Sequence, residues 1–460
     1  MKDILTLLLG IAAFCFWRFT HPFVLTWHEE MQIFIMDQTF LQEHLGYPGG
    51  IARYIGEFLV QFYNNINLGA FIIALIYMLI QRLTWKGMEK ASTLRIKDTT
   101  LSATWYALSF IPSFILWFLM GDSCVMMTYM VAILLSLTVI VSYPHKKLAR
   151  GIYLLLILPI GYWIVGPAIF MLALFAILAS FIRPQTLFTA VGATAVILCG
   201  SIFCVLMSAH LAPYPLERLI RGIDYYRMPL HVCEMQLVLL LILPMLIISA
   251  YYFPRLSKNR EKATGIALSV TILVGSWLII PSGFGDKEME SLKYDLFVRT
   301  NNWEAILKQA SEQEPETAAG RCALNLALWK TKQMSSEEFR GFLMQVGSMM
   351  NDNYVPIVLS DIYFETGMIS VSQRFAFESI ELISNYNKSA RLLQRLVETN
   401  MLNGQYEVAR KYARILQRTA IYRQWADRMM ELIDHPQLIN QHPLYGPLRK
   451  AAPKDNYMFV

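Results

Sequence analysis

The chain has 460 residues, of which 55% are hydrophobic and only 16% charged, against roughly 25% charged in an average soluble protein. The net charge of +6 belongs to the apolar part, because the residues from Asp286 onward carry 21 basic and 21 acidic side chains. A nucleic-acid binder would show such an excess as a patch on a soluble surface, so that class is disfavoured. Of the six cysteines, Cys15, Cys199 and Cys204 fall in apolar runs, and no pair has CxxC spacing. Neither a zinc site nor a disulfide framework is indicated, and Cys124 with Cys233 is the one pair that could share a membrane surface.

In chain order, Met1-Lys2-Asp3 followed by Ile4 to Trp17 lacks a small-residue cleavage site, so a retained first helix is expected rather than a secretory signal. A span takes about 20 mostly apolar residues. Nine are expected, over 4–25, 66–83, 101–120, 125–143, 151–164, 166–182, 186–208, 235–253 and 264–281. The pair at 151–182 is read as a tight hairpin of two short spans, broken at Gly161-Tyr162-Trp163 and Gly166-Pro167.

Basic residues concentrate in alternate connections. Arg82, Lys86, Lys90, Lys146, Lys147, Arg150, Arg255 and Lys258 fall on one side, and Arg18, Arg53, Arg218, Arg221 and Arg227 on the other. The positive-inside rule then places the N-terminus in the cytoplasm. After an odd number of spans the C-terminal part emerges on the periplasmic side of a plasma (inner) membrane.

The first outer loop, 27–65, is the most polar stretch of the apolar part. It opens with Trp27-His28-Glu29-Glu30 and continues through Asp37, Glu43 and His44. Ile51, Tyr54, Ile55, Phe58, Leu59 and Phe62 then recur at helical spacing, with Arg53, Glu57 and Gln61 on the other face, as in an interfacial amphipathic helix. Arg18 and His21 lie at the outer end of the first span, and a helix continued past Pro22 would put His28 on the same side. Between spans three and four stands Gly121-Asp122-Ser123-Cys124, where Asp122 is either a helix cap or a functional acid. The third outer loop, 209–233, holds Arg218, Arg221, Arg227 and His231. Arg218 and Arg221, one turn apart, could grip one phosphate, or could equally serve loop salt bridges.

From about Leu292 the pattern is that of a soluble, all-helical domain over 284–460. Asn302-Trp303-Glu304-Ala305 opens one helix, Tyr363-Phe364-Glu365-Thr366-Gly367 ends another, and Asn403-Gly404-Gln405-Tyr406-Glu407-Val408-Ala409 starts a third. The last of these, with Tyr412, resembles the turn and second helix of a tetratricopeptide repeat (TPR), in which Gly and Ala allow close packing. The resemblance implies an α-solenoid with a concave binding surface.

The layout of residues 1–283 is similar to the GT-C class of integral-membrane glycosyltransferases, and the whole plan is similar to uncharacterised membrane proteins of Bacteroidota with helical tails. The GT-C resemblance implies transfer of a sugar from a polyprenyl-phosphate donor to a protein or glycan acceptor held by the outer domain. It implies Glu29, Glu30 and Asp122 as base or metal ligands, which leaves a divalent metal open. On chemical grounds, Arg18, Arg218, Arg221, Arg227 and His231 are then the expected ligands of the lipid phosphate, whose departing charge arginines neutralise. The sequence departs from that class in its Glu for the usual Asp, its smaller number of spans and its lack of a WWD-type signature. The competing expectation is a membrane-anchored scaffold that binds a partner through its TPR-like domain, with the loop acids as caps and salt bridges. A transporter is disfavoured by the absence of an internal repeat among the spans. The transferase requires the acids and the arginines to line one cavity.

Overall fold

The computed structural model describes residues 2–93, 101–182, 186–227, 234–254, 257–346, 355–382 and 389–451. Among them the secondary structure is helical, with one isolated antiparallel bridge between Val125 and Tyr226. The chain divides into two units, Met1–His21 with Gln38–Phe284, and Pro22–Asp37 with Gly285–Val460. It therefore passes from one to the other three times.

The first unit contains six helical segments long and apolar enough to cross a membrane: Lys2–Thr20, Ile66–Thr93, Lys147–Ile182, Leu187–Leu211, Glu234–Tyr252 and Arg260–Gly283. Ala103–Leu119 and Met127–Val141 are shorter apolar helices. At 1.5 Å per residue, 20 residues cover the ~30 Å hydrocarbon layer. The distribution of side chains is that of a membrane protein. Leu187, Phe188, Val196 and Phe203 stand exposed on one helix, while Gln81, Ser109 and Ser113 are buried. Gln81, Ser109 and Ser113 have hydrogen-bond partners inside the protein, as a medium without water favours. Thr6 Oγ1 donates to Gln81 Oε1 at 2.8 Å, and Gln81 Nε2 donates to Ser109 Oγ at 2.7 Å.

The first helix is shorter than the expected 4–25. A π turn over Phe16–Thr20 ends it, His21 leaves helical geometry (φ −129°, ψ 45°), and a separate helix Pro22–Glu30 follows. Pro22 lacks the N–H needed to continue the first helix. The segment Lys147–Ile182 is interrupted at Gly166, whose φ of 73° favours glycine, between helices Lys147–Val165 and Phe170–Ile182.

The expected interfacial helix is Gly50–Val60, packed on Met127–Val141. Its polarity is inverted relative to a helix in water. Ala52, Gly56, Glu57 and Val60 are buried, while Ile51, Tyr54 and Ile55 are half-exposed and Phe58 is exposed. Gly56 permits this approach, because a Cβ there would sit 2.8 Å from the Thr128 backbone nitrogen.

The second unit is a run of helix pairs: Asp286–Arg299 with Trp303–Glu312, Ala318–Lys330 with Ser336–Gln345, Val355–Glu365 with Ile369–Leu382, and Ala390–Leu402 with Tyr406–Gln417. Arg423–Asp434 and Tyr445–Ala451 close it. One turn recurs inside the pairs. A residue in the left-handed region, Asn301, Lys332, Gly367 or Gly404, follows the first helix of each. At Gly404 its N–H meets the Met401 carbonyl at 3.1 Å, and the next N–H, of Gln405, meets that of Asn400 at 2.8 Å. The same two bonds form at Asn301, Lys332 and Gly367. This double bond is a Schellman-type cap, which uses up carbonyls the helix end leaves unpaired. Asn302 then caps the following helix through its Oδ1, 3.2 Å from the Ala305 nitrogen.

Two apolar cores run through the unit. One is built on Tyr294, Leu326, Phe339, Leu359 and Ile362, the other on Val397, Ala409, Ala413, Leu416 and Ile433. Ile33, from the segment before Asp37, lies in the second core. Residues 27–65 are thus not one loop: they divide after Asp37, and the first part is built into the helical unit.

Candidate functional site

Helix Pro22–Glu30 packs against Asp286–Arg299 and Ala390–Leu402 inside the second unit. That packing brings Glu29 and Glu30 to a buried ionic network. Arg391 Nη1 donates to Glu30 Oε2 at 3.0 Å, and the guanidinium also holds Asp295 in a two-pronged pair at 2.7 and 2.9 Å. Arg391 further contacts Asp361, and Arg299 pairs with Glu30. Arg395 bridges Asp361 at 2.7 Å and Glu398 at 2.9 Å. Ser389 Oγ donates to the Glu30 carbonyl at 2.6 Å, and the Tyr422 hydroxyl donates to Glu29 Oε1 at 2.6 Å. At the end of the segment Arg418 pairs with Asp37 at 2.8 Å.

Burial and charge compete at each of these groups. Burial pushes the Glu29 carboxyl up to about 7, against the Tyr422 hydrogen bond and the charge of Arg299. Burial also works to raise Asp361, but Arg391 and Arg395 outweigh it and hold that carboxyl at about 2. Asp295 and Glu398 stay above the ordinary carboxyl value, because burial there exceeds the help of Arg391 and Arg395 respectively. Burial, followed by the like charge of Arg391, lowers Arg299 to about 10.

A pocket of about 230 Å³ opens onto this network. Its wall includes Arg299, Asp361, Glu365, Arg391, Arg395 and Glu398, with Trp303 and Trp425 as aromatic faces. Asn301, in the left-handed turn, and Gln394 add neutral polar groups. Lys330 pairs with Glu365 at 2.5 Å, and Tyr445 Oη donates to Glu398 at 2.9 Å. Arg299, Lys330, Arg391 and Arg395 face Glu29, Glu30, Asp295, Asp361, Glu365 and Glu398 across the network, and the pocket wall itself holds three of the bases and three of the acids. Of these, only Glu29 and Glu30 stand out in the sequence as candidate site residues.

The remaining expected site residues lie in the first unit. Asp122 Oδ1 accepts from the Cys124 N–H at 2.8 Å, and its Oδ2 accepts from the Tyr226 hydroxyl at 2.7 Å. The Arg227 N–H donates to the Cys124 carbonyl at 2.7 Å, so the loops carrying Asp122 and Arg227 do meet, and Arg227 is buried. Arg218 turns to the Ile223 carbonyl at 2.9 Å and lies over the Tyr214 ring, while Arg221 pairs with Glu217 at 3.1 Å. Those two guanidiniums hold their own loop. Arg18 donates to Asn67 Oδ1. His231, and Cys233 of the Cys124 and Cys233 pair, lie outside the described residues. Glu29 and Glu30 belong to one unit and Asp122, Arg218, Arg221 and Arg227 to the other.

The first unit also contains a buried polar centre. Arg53 bridges Glu57 at 2.8 Å and Asp224 at 3.1 Å, and His44 Nε2 meets Glu57 Oε2 at 3.1 Å. The helical spacing of Arg53 and Glu57 was legible, but not that their face turns inward.

No curated protein and no solved structure matches the chain. A family model described as "Family of unknown function (DUF6057)" matches residues 1–460, and the chain belongs to that family.

Proposed function

We propose that the protein is a membrane-anchored binding protein, whose TPR-like helical unit receives a basic segment of a partner polypeptide in the pocket beside Arg391. The observation that carries this reading is a pocket whose wall sets the carboxylates of Asp361, Glu365 and Glu398 beside two tryptophan faces. The wall arginines are already engaged by carboxylates, so an incoming lysine or arginine can share those carboxylate oxygens and meets an aromatic surface suited to a cation. The repeated helix pairs, with one cap geometry at 301, 332, 367 and 404, support the solenoid reading.

In the arrangement we propose, the break at Gly166 divides Lys147–Ile182 into two crossings, and the two shorter apolar helices also cross. That makes nine spans, with the N-terminus cytoplasmic and the helical unit on the periplasmic side of the inner membrane.

The test uses full-length protein in dodecyl maltoside and fluorescein-labelled pentapeptide pools centred on lysine or on glutamate. The lysine pool binds at least tenfold tighter, and Gln394→Lys, which adds a like charge to the wall, weakens it at least fivefold. A glutamate pool that binds as well as the lysine pool would sink the idea.

A second reading, the GT-C-like transfer of sugar from a polyprenyl-phosphate donor, is favoured by one observation. Glu29, at about 7, lies where a general base operates near neutral pH. Surface glycans that are unchanged in a strain lacking the gene would end that reading and leave the first intact.

A further inference from the structure

A second cavity lies in the membrane unit, lined by none of the described residues discussed as a site. It is a groove of about 800 Å³ walled by the helices Lys147–Val165, Phe170–Ile182 and Leu187–Leu211. Its walls are apolar, with Leu155, Leu158, Ile197 and Phe203 among them. Its floor is open because Gly151, Gly192 and Gly200 line it, and a Cβ at any of the three would meet nothing within 4 Å. Among the described residues nothing fills the space those glycines leave.

One end of the groove is basic. His145, Lys147 and Arg150 line it there, and no Asp or Glu is among its described lining residues. Arg150 Nε donates to the Pro144 carbonyl at 3.1 Å, which anchors the guanidinium at the mouth. Lys90 Nζ reaches the nearby Val141 carbonyl at 2.7 Å. Burial, then the charges of Lys90 and Arg150, push His145 below its ordinary pKa. The mouth thus brings the cations Lys147 and Arg150 to one end of an apolar groove.

The length of the groove decides what fits. From Arg150 to Pro159 a helix rises ~14 Å at 1.5 Å per residue, about half of the ~30 Å hydrocarbon layer. That is the depth of one leaflet. A free phosphate would use the mouth and leave the apolar walls empty, and a zwitterionic lipid would set its own cation beside Lys147 and Arg150. We propose that the groove seats one anionic diacyl phospholipid, its phosphate at His145, Lys147 and Arg150 and an acyl chain along the Gly192–Gly200 face. Basic pockets between membrane helices recognise acidic headgroups by this combination of charge and depth.

The experiment is native mass spectrometry of the full-length protein in dodecyl maltoside, titrated with dioleoyl phosphatidylglycerol or dioleoyl phosphatidylcholine. One phosphatidylglycerol is retained at least tenfold more strongly than phosphatidylcholine. Lys147→Gln with Arg150→Gln removes that preference. Gly200→Leu, which fills open space and leaves thermal unfolding unchanged, blocks retention of the lipid with the basic mouth intact. Equal retention of the two lipids by the natural protein overturns the proposal. Undiminished phosphatidylglycerol binding by the double variant or by Gly200→Leu overturns it as well.

Discussion

Glu30 and Arg391 are 361 positions apart along the chain, yet Arg391 Nη1 donates to Glu30 Oε2 at 3.0 Å with both side chains buried. Arg391 is shared among Glu30, Asp295 and Asp361, so three segments of the second unit converge on one guanidinium. A buried charge without its partner costs far more than an exposed one, because water cannot replace the lost interaction.

Arg391→Met therefore leaves three carboxylates with reduced compensation and costs about 3–5 kcal/mol. Amide hydrogen exchange, read peptide by peptide on the full-length protein, should show the helix Ala390–Leu402 losing protection. Arg410→Met is the matched control. Arg410 also pairs with two acids, Glu407 and Asp434, but at the surface, where water takes over, and it leaves exchange unchanged.

A second consequence concerns Pro22–Asp37. Ile33 sits in an apolar core of the second unit, the Met36 N–H donates to the Arg418 carbonyl at 2.8 Å, and Glu29 accepts from Tyr422. Residues 285–460 expressed alone lack all of these contacts. They should unfold at a lower temperature than the same unit in the full chain, and a synthetic peptide of residues 22–37 should raise their melting temperature in a dose-dependent way. A peptide with Ile33→Asp should not. A melting temperature insensitive to the natural peptide would count against the contacts.

These two expectations mark where reading by sequence stopped. The Asn302 cap and the breaks at Gly367 and Gly404 were legible, because caps and left-handed turns are local chemistry. The apolar runs were legible too, since length and hydropathy are properties of a window. The surroundings of Glu29 and Glu30 were not. Arg299, Arg391 and Tyr422 face the pair, and nothing within a window of residues 22–37 points to partners so far along the chain. Arg53 and Glu57 failed for a related reason. A helix with charges on one face has the same pattern whether that face meets water or, as here, Asp224 and His44.

The left-handed turns give a prediction free of packing. Gly404 has φ +76° and open space around a notional Cβ, so Gly404→Ala changes only backbone strain and should destabilise the unit by about 1–2 kcal/mol. Lys332 adopts the same region with φ 61°, and Lys332→Gly should stabilise by up to about 1 kcal/mol. Urea unfolding of the two variants, followed by hydrogen exchange in the flanking helices, measures both. Equal stability for the pair would show that the strain is relieved elsewhere.

The pH dependence of stability follows from Glu29. Its carboxyl lies at about 7 in the folded chain and at 4.5 when unperturbed, so the folded state holds the proton more tightly. Below pH 4.5 both states are protonated and the fold bears no penalty. As pH rises from 4.5 through 7 the unfolded state ionises first, and stability falls until the folded group ionises as well. A shift of this size corresponds to about 3 kcal/mol. Asp361 has the opposite sign, since its folded value of about 2 lies below the unperturbed 3.8, and its contribution is lost only as pH falls through 3.8 toward 2. Glu29→Gln keeps an oxygen to accept from Tyr422 and removes the ionisation. The variant should match the natural protein near pH 4.5 and exceed it in stability at pH 8, flattening the slope between. Parallel stability curves for the two proteins over pH 4.5–8 would mean that Glu29 is ionised throughout, and that Arg299 outweighs burial at this carboxylate.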